Sequence, residues 1–287
     1  MINGSNSYVP ADQKVAVLIP CFKPKNYIIR CFESLEAQSL DREKFKVYIC
    51  LNGDRYPFER FLQDLLAQCS FRYRLMYLPV ANVSLARNML IDCSSENYIV
   101  FIDDDDFVSP CYLKELLNCT GQQVMGIANT YSVEESSSAL KDNFMTSSFF
   151  KLNDVETSFL RSRKYFSSPW AKMIHRDMLG SIRFDRNVSK GEDSLFFSQL
   201  TENIKFIRKT GPEVCYFVNE RVGSLTRNKI TILGELKTLN YLIRKYFELL
   251  FTGRYNTLFM FTRIVATFRK YYTLFRYILR ETVAKLV

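Results

Sequence analysis

The stretch YIVFIDDDDFVSP, Tyr98–Pro110, runs from an uncharged apolar segment straight into four aspartates, Asp103 to Asp106. Four adjacent like charges repel, so a folded chain keeps them together where negative charge is used. The apolar run reads as a buried strand, being short and rich in β-branched and aromatic residues. If extended geometry continues through the cluster, Asp103 and Asp105 share one face and Asp104 and Asp106 the other. Ligands of open parallel sheets bind beyond the carboxyl ends of the strands. Two convergent carboxylates there suit Mg²⁺ or Mn²⁺, which takes one or two carboxylates and completes its shell with water and substrate phosphates.

Outward from this strand, similar runs recur at 15–20, 46–51, 73–78 and 124–129. Between them apolar residues fall at helical spacing: Tyr27, Ile28, Cys31 and Leu35; Phe58, Phe61, Leu62, Leu65 and Leu66; and the run from Ser84 to Cys93. Pro110 stands where the first turn of another helix is predicted. Strands alternating with helices predict an α/β fold, a mainly parallel sheet flanked by helices. The segment after the first strand, PCFKPKN, has no glycine-rich phosphate loop, which weighs against dinucleotide oxidoreductases and P-loop NTPases. Residues 130–168 are polar and Ser-rich and read as a long excursion of the lid or binding-loop kind.

Composition narrows the class. Of 287 residues, 47% are hydrophobic, enough for a sizeable core. Neither a secretory signal nor a transmembrane helix is predicted. The eight cysteines form no C-x-x-C pair and read as reduced thiols of a cytosolic protein. The single histidine, His175, lies in no zinc or hydrolase motif. The whole net charge of +9 belongs to Arg227–Val287, where twelve Lys and Arg face three Asp and Glu. A second acidic element, KGEDSLFF at 190–197, reads as a turn at Gly191 followed by a helix start, where acids are favoured by the helix dipole.

Four segments, in order, resemble glycosyltransferase family 2, whose fold is GT-A. VLIPCFKPKNYIIRCFESLEAQS is similar to that family's opening, and NVSLARNMLIDCSSENYIVFIDDDDFVSP to its A-R-N helix and D-x-D-D strand end. SPWAKMIHRDML and GEDSLFF resemble the downstream part of members that build bacterial surface polysaccharides such as capsule, O-antigen or lipooligosaccharide. The resemblance implies an inverting, metal-dependent transfer of a sugar, a hexose or N-acetylhexosamine, from a nucleotide-sugar to a hydroxyl of a growing surface glycan or lipid-linked saccharide. UDP is the expected nucleotide. Asp105 would bind Mn²⁺ or Mg²⁺, with Asp103 beside it on the ribose and the metal. Pro20, Phe22, Asn52, Arg87 and Asp104 would complete the nucleotide-sugar site. Asp193 would be the general base, because inversion needs one carboxylate to accept the proton of the attacking hydroxyl. Glu192 would be catalytic beside it by binding or orienting the acceptor, and Trp170 and Lys172 would line the acceptor side with it.

Two positions depart from the pattern. LNGD at 51–54 stands where many relatives have D-D-G-S, so Asn52 replaces an acid that reads the uracil imide. Arg221 occupies the place of a histidine that relatives carry, leaving the metal to Asp105 and the donor phosphates. The competing enzyme classes are a metal-dependent nucleotidyl- or phosphotransferase and a haloacid-type phosphatase, whose nucleophilic aspartate stands on an early strand. The competing non-enzyme is a membrane-associated scaffold on a degenerate GT-A domain.

The domains expected are a tail at 1–13, a catalytic domain at 14–227 and a helical basic extension at 228–287. The catalytic domain divides into a nucleotide-sugar half (14–129) and an acceptor half (130–227). In the extension, two helices split near Gly253. Phe261, Ile264, Val265, Phe268, Tyr272, Phe275, Leu279, Val283 and Leu286 project onto about 100° of arc, with the cations outside it. That pattern suits an in-plane helix on an anionic membrane through residues 254–287. Packing on the catalytic domain or in an oligomer is the alternative, and no nucleic-acid partner is expected. The resulting placement is cytoplasmic, peripheral at the inner face of the cell membrane.

Overall fold

A computed structural model describes residues 13–134, 139–188, 190–220 and 232–284, with side chains through 276. The boundary expected at 227, most of the N-terminal tail and Arg221 lie outside the described residues.

Strand β1 (Val15–Cys21) is buried along its whole length, as a central strand covered on both faces must be. Helix α1 (Tyr27–Glu36) follows and buries Ile28, Cys31, Phe32 and Leu35, one stripe of its surface. Next come β2 (Phe45–Asn52), α2 (Phe58–Leu66), β3 (Tyr73–Leu78) and α3 (Val83–Cys93). Asn82 caps α3 by accepting a hydrogen bond from the Leu85 amide at 2.9 Å. Strand β4 (Tyr98–Phe101) is fully buried and pairs with β1 in parallel, Leu18 opposite Phe101.

After the aspartates come β5 (Phe107–Val108) and α4 (Tyr112–Cys119), which starts two residues beyond Pro110. The remaining elements are β6 (Val124–Ile127), β7 (Asn129–Glu134), β8 (Leu140–Asp142), α5 (Thr146–Lys151), β9 (Val155–Glu156), β10 (Lys172–His175), α6 (Glu192–Gln199), β11 (Phe206–Lys209) and β12 (Cys215–Glu220). Two long helices, α7 (Ile232–Phe251) and α8 (Thr257–Ala284), end the described chain.

The main sheet runs β3-β2-β1-β4-β10-β6-β11-β9. Its β3-β2-β1-β4 half is parallel, and β10 enters antiparallel between β4 and β6. The sheet is therefore mixed. A smaller sheet, β5-β12-β7-β8, takes β8 and most of β7 from the excursion at 130–168, which also carries α5 and β9. The eight cysteines are free thiols.

The apolar arc expected on α8 divides in two. Ile264 turns inward with Phe259 and Met260, while Phe261, Val265, Phe268, Tyr272 and Phe275 stay exposed. Leu279, Val283 and Leu286 lie beyond the described side chains. Val188 and Leu195 join Leu242, Tyr246, Met260 and Ile264 in a small second core, so the helical pair is fastened to α6. Among the described residues no helix is long and apolar enough to cross a membrane.

Candidate active site

The carboxyl ends of β1, β2 and β4 open onto one edge of the sheet, and the aspartates sit there. Extended geometry does not continue through them: β4 stops at Phe101, and Asp103 to Asp106 form a turn closed by the Asp106 amide donating to the Asp103 carbonyl at 3.1 Å. The division into pairs nevertheless holds, because of what lies beneath. Asp104 and Asp106 are buried, whereas Asp103 and Asp105 are half-buried.

Asp106 accepts from the Tyr216 hydroxyl at 2.7 Å and from the Asn219 amide at 2.8 Å, and the same hydroxyl accepts from the Asp103 amide at 3.0 Å. One tyrosine of β12 thereby holds both ends of the turn. Burial, reinforced by Asp105 and Asp103, pushes the Asp106 carboxyl well above its ordinary range. Asp104 accepts from the Cys21 thiol at 3.2 Å at the end of β1. Its carboxylate is thereby tied to the end of β1, beside the nucleotide-sugar role that the family resemblance implies for it.

Tyr216→Phe tests this support. It leaves the Asp106 carboxylate short of a donor and the Asp103 amide short of an acceptor, and should lower stability by about 1–3 kcal/mol. Chemical denaturation measures the loss; stability equal to the parent's would remove the role assigned to Tyr216.

Arg87 joins the two acidic elements. Its guanidinium, 5% exposed, lies 2.6 Å from Asp193, 3.4 Å from Asp103 and 3.6 Å from Glu192. Burial works against its charge, but Asp193, Asp103 and Glu192 together raise its pKa. The neighbouring Asn88 makes the geometry rigid. Its amide donates to the Phe184 carbonyl at 2.9 Å and accepts from the Phe184 amide at 2.8 Å. Phe184 stacks on Phe196 of α6 with ring centroids 3.8 Å apart. The A-R-N stretch thus clamps the segment that leads to GED.

Gly191 initiates α6 with φ +91°, a conformation that glycine adopts without strain. A Cβ there would come within 3.0 Å of Leu242 on α7. Glu192 and Asp193 open the helix. Burial, opposed by Arg87, raises the Asp193 pKa from the ordinary carboxylate value. Burial and the adjacent Asp193 bring Glu192 to about 7. Burial thereby outweighs the lowering that a helix N-terminus exerts on an acid.

Other sequence-predicted residues fall into place less directly. Asn52, at the end of β2, is buried and donates to the Cys21 carbonyl at 2.8 Å, which fixes the orientation of its amide. Phe22 is half-buried against the turn at Gly53, but Pro20 is buried within β1 and presents no surface to a base. Trp170 is half-buried and stacks on Tyr216, with ring centroids 5.1 Å apart and planes 10° apart.

Lys172 corrects its assignment. It is 1% exposed, its ammonium donates to the carbonyls of Ser168 and Trp170 at 2.5 and 2.9 Å, and burial lowers its pKa well below normal. The amine is engaged by these two carbonyls and lines no open surface. Tyr216 and Asn219 carry no signal in the sequence, because their roles depend on partners distant along the chain; Asn88 is visible in the A-R-N stretch, but its partner Phe184 is not.

Among the described residues no three His, Cys, Asp or Glu side chains gather as a protein-only metal cage. The oxygen donors of Asp105 and Asp103 fit a hard cation shared with substrate phosphates, since Asp104 and Asp106 are turned onto protein partners. Asp103 also pairs with Arg87.

A family model described as glycosyl transferase family 2 matches residues 16–182. The chain is 24% identical over 233 residues to Streptococcus pneumoniae glycosyltransferase GlyA, covering 75% of this chain and 32% of that protein. It is 22% identical over 247 residues to Staphylococcus aureus poly(ribitol-phosphate) beta-N-acetylglucosaminyltransferase TarP, covering 82% of this chain and 73% of that protein. This chain spans only 32%, 49% and 33% of the length of three of its curated relatives, GlyA being the first of these. A crystal structure of S. aureus TarS 1–349 in complex with UDP-GlcNAc superposes with a TM-score of 0.73 at 16% identity, covering 91% of this chain and 73% of that one. At that identity the likeness establishes the fold.

Proposed function

The chain belongs to glycosyltransferase family 2, and from that premise we propose that it transfers a sugar from a UDP-sugar to a hydroxyl of a surface glycan or its lipid-linked precursor, with inversion and with a divalent metal. The observation that carries this reading is Arg87, which holds an acid of the aspartate turn and the acids of α6 on one guanidinium. A displacement needs such a juxtaposition: groups for the leaving diphosphate on one side and a carboxylate base on the other.

Asp193 accepts the proton of the attacking hydroxyl. Its burial suits that task, because a raised carboxylate pKa makes a stronger base. Glu192 orients the acceptor hydroxyl beside it. Asp103 and Asn52 lie on the nucleotide side. Mn²⁺ or Mg²⁺, held by Asp105 with Asp103, would neutralise charge on the departing diphosphate, so that no general acid is needed. The UDP donor is supported by the UDP-GlcNAc complex of the structural neighbour, and the glycan acceptor by the poly(ribitol-phosphate) substrate in TarP's name. The enzyme works at the cytoplasmic face of the cell membrane, where a lipid-linked acceptor is presented.

Purified protein given Mn²⁺ and a panel of nucleotide-sugars should release free nucleotide from one donor, and a chelator should suppress the release. Asp105→Ala should weaken metal-dependent donor binding by at least about tenfold, measured by calorimetry. Donor binding that is indifferent to chelator would remove the metal, and no donor turnover or binding under any condition would remove the enzyme reading.

A further inference from the structure

The outward face of α8 is apolar where an ordinary surface helix is polar. Leu258, Phe261, Val265, Phe268, Tyr272 and Phe275 are 49–60% exposed and recur at alternating intervals of three and four. They form one stripe along more than four turns. The opposite face is occupied: Phe259 packs on Phe166 and Phe159, and Ile264 and Met260 pack into the second core. Arg263 turns inward too, donating to the Ser167 hydroxyl and the Arg163 carbonyl at 3.0 and 2.6 Å. Docking on the catalytic domain is therefore complete on one side, and the stripe has nothing in this chain to cover it among the described residues.

Charge identifies what covers it. Between Glu248 and Glu281 the sequence has no acid and six cations: Arg254, Arg263, Arg269, Lys270, Arg276 and Arg280. Arg269 and Arg276 follow the stripe residues Phe268 and Phe275 directly and stand on its shoulder, and both are exposed. A second copy of α8 against this stripe would need opposite charges at the flanking positions. It would instead meet like ones. A lipid surface with anionic headgroups meets both requirements: acyl chains take the aromatic stripe, and headgroups take the arginines.

We infer that α8 lies in the plane of an anionic lipid surface, with Phe261, Phe268 and Phe275 inserted and Arg269 and Arg276 at headgroup level. This rests on the proposed transfer for its purpose and deepens it, since α8 shares a core with Leu195 of α6, the helix that carries Asp193 in its first turn. Docking would then fix the orientation of the base toward an acceptor held in the membrane.

The experiment uses the full chain and flotation with vesicles of phosphatidylcholine alone or with about 30% phosphatidylglycerol. The parent should bind only the anionic vesicles, and less as salt rises from about 0.1 to about 0.5 M. Phe261→Ser/Phe268→Ser/Phe275→Ser and Arg269→Glu/Arg276→Glu should each weaken binding at least about tenfold. Circular dichroism and metal-dependent donor binding should stay as in the parent, which separates this outcome from failure of the enzyme reading. Unchanged vesicle binding by both variants would overturn the inference. So would a parent that ignores vesicles and forms a dimer that the triple substitution dissolves.

Discussion

Asp193→Asn should lower kcat for sugar transfer by about 10²–10⁴, the usual contribution of a positioned general base. Donor binding should change little, because the substitution removes no contact to the nucleotide side. The isosteric amide keeps a neutral group beside Arg87, which remains paired with Asp103 and Glu192 at 3.4 and 3.6 Å. The residual activity is informative as well. Glu192 titrates at about 7 and adjoins the same guanidinium, so it is the group placed to act as substitute base. In that case the residual rate rises with pH as Glu192 loses its proton, at a pH below the parent's because the Asp193 charge that helps to raise Glu192 is gone, and adding Glu192→Gln removes it. Steady-state kinetics with donor affinity measured separately decides the matter. Transfer at the parent rate by Asp193→Asn would move the base elsewhere.

Arg87→Met is expected to be the most destabilising single change in the site. It leaves Asp103, Glu192 and Asp193 together without their shared cation, and breaking a buried pair in this way typically costs about 3–5 kcal/mol. The pH dependence follows in sign. Without the guanidinium, the folded-state pKa values of Asp193 and Glu192 rise further above their unfolded values, since Arg87 is what holds both down. Between the unfolded and folded values the native state binds more protons than the unfolded state, so stability falls as pH rises. The variant should be closest to the parent near pH 5 and furthest from it near pH 8, with Glu192 already near 7 in the parent. Thermal melts across that range are the measurement. A destabilisation independent of pH would mean that Arg87 acts through packing on Phe184, 5.3 Å away, rather than through its charge. Arg87→Lys should recover part of the loss, since an ammonium supplies the charge without the planar fork.

The site was legible where function is written in adjacent residues and hidden where it is written across the fold. DDDD and GED are contiguous, and each announced itself by charge placed against an apolar run. Arg87 was visible within the A-R-N stretch, but its place between Asp103 and Asp193 was not, since Arg87 and Asp193 are 106 positions apart. Alternation along a strand separated Asp103 and Asp105 from Asp104 and Asp106 for a reason that does not apply to the turn they form. The split survives because Cys21, Tyr216 and Asn219 draw the second pair inward. Lys172 shows the converse failure. Its neighbourhood in the sequence suggested an acceptor contact, yet β10 inserts between β4 and β6 and buries the ammonium.

By itself the sequence determined the strand–helix alternation, the aspartate-bearing strand end, the acidic helix start and the basic amphipathic ending, because periodicity and charge are local properties of a chain. Tertiary structure alone decided the antiparallel entry of β10, the second sheet, the Tyr216 support of the aspartate turn and the division of α8 into a docked face and an open one. Each of these depends on which distant segments meet. Burial then converts that meeting into altered pKa values and fixed geometry, which no pattern along the chain encodes.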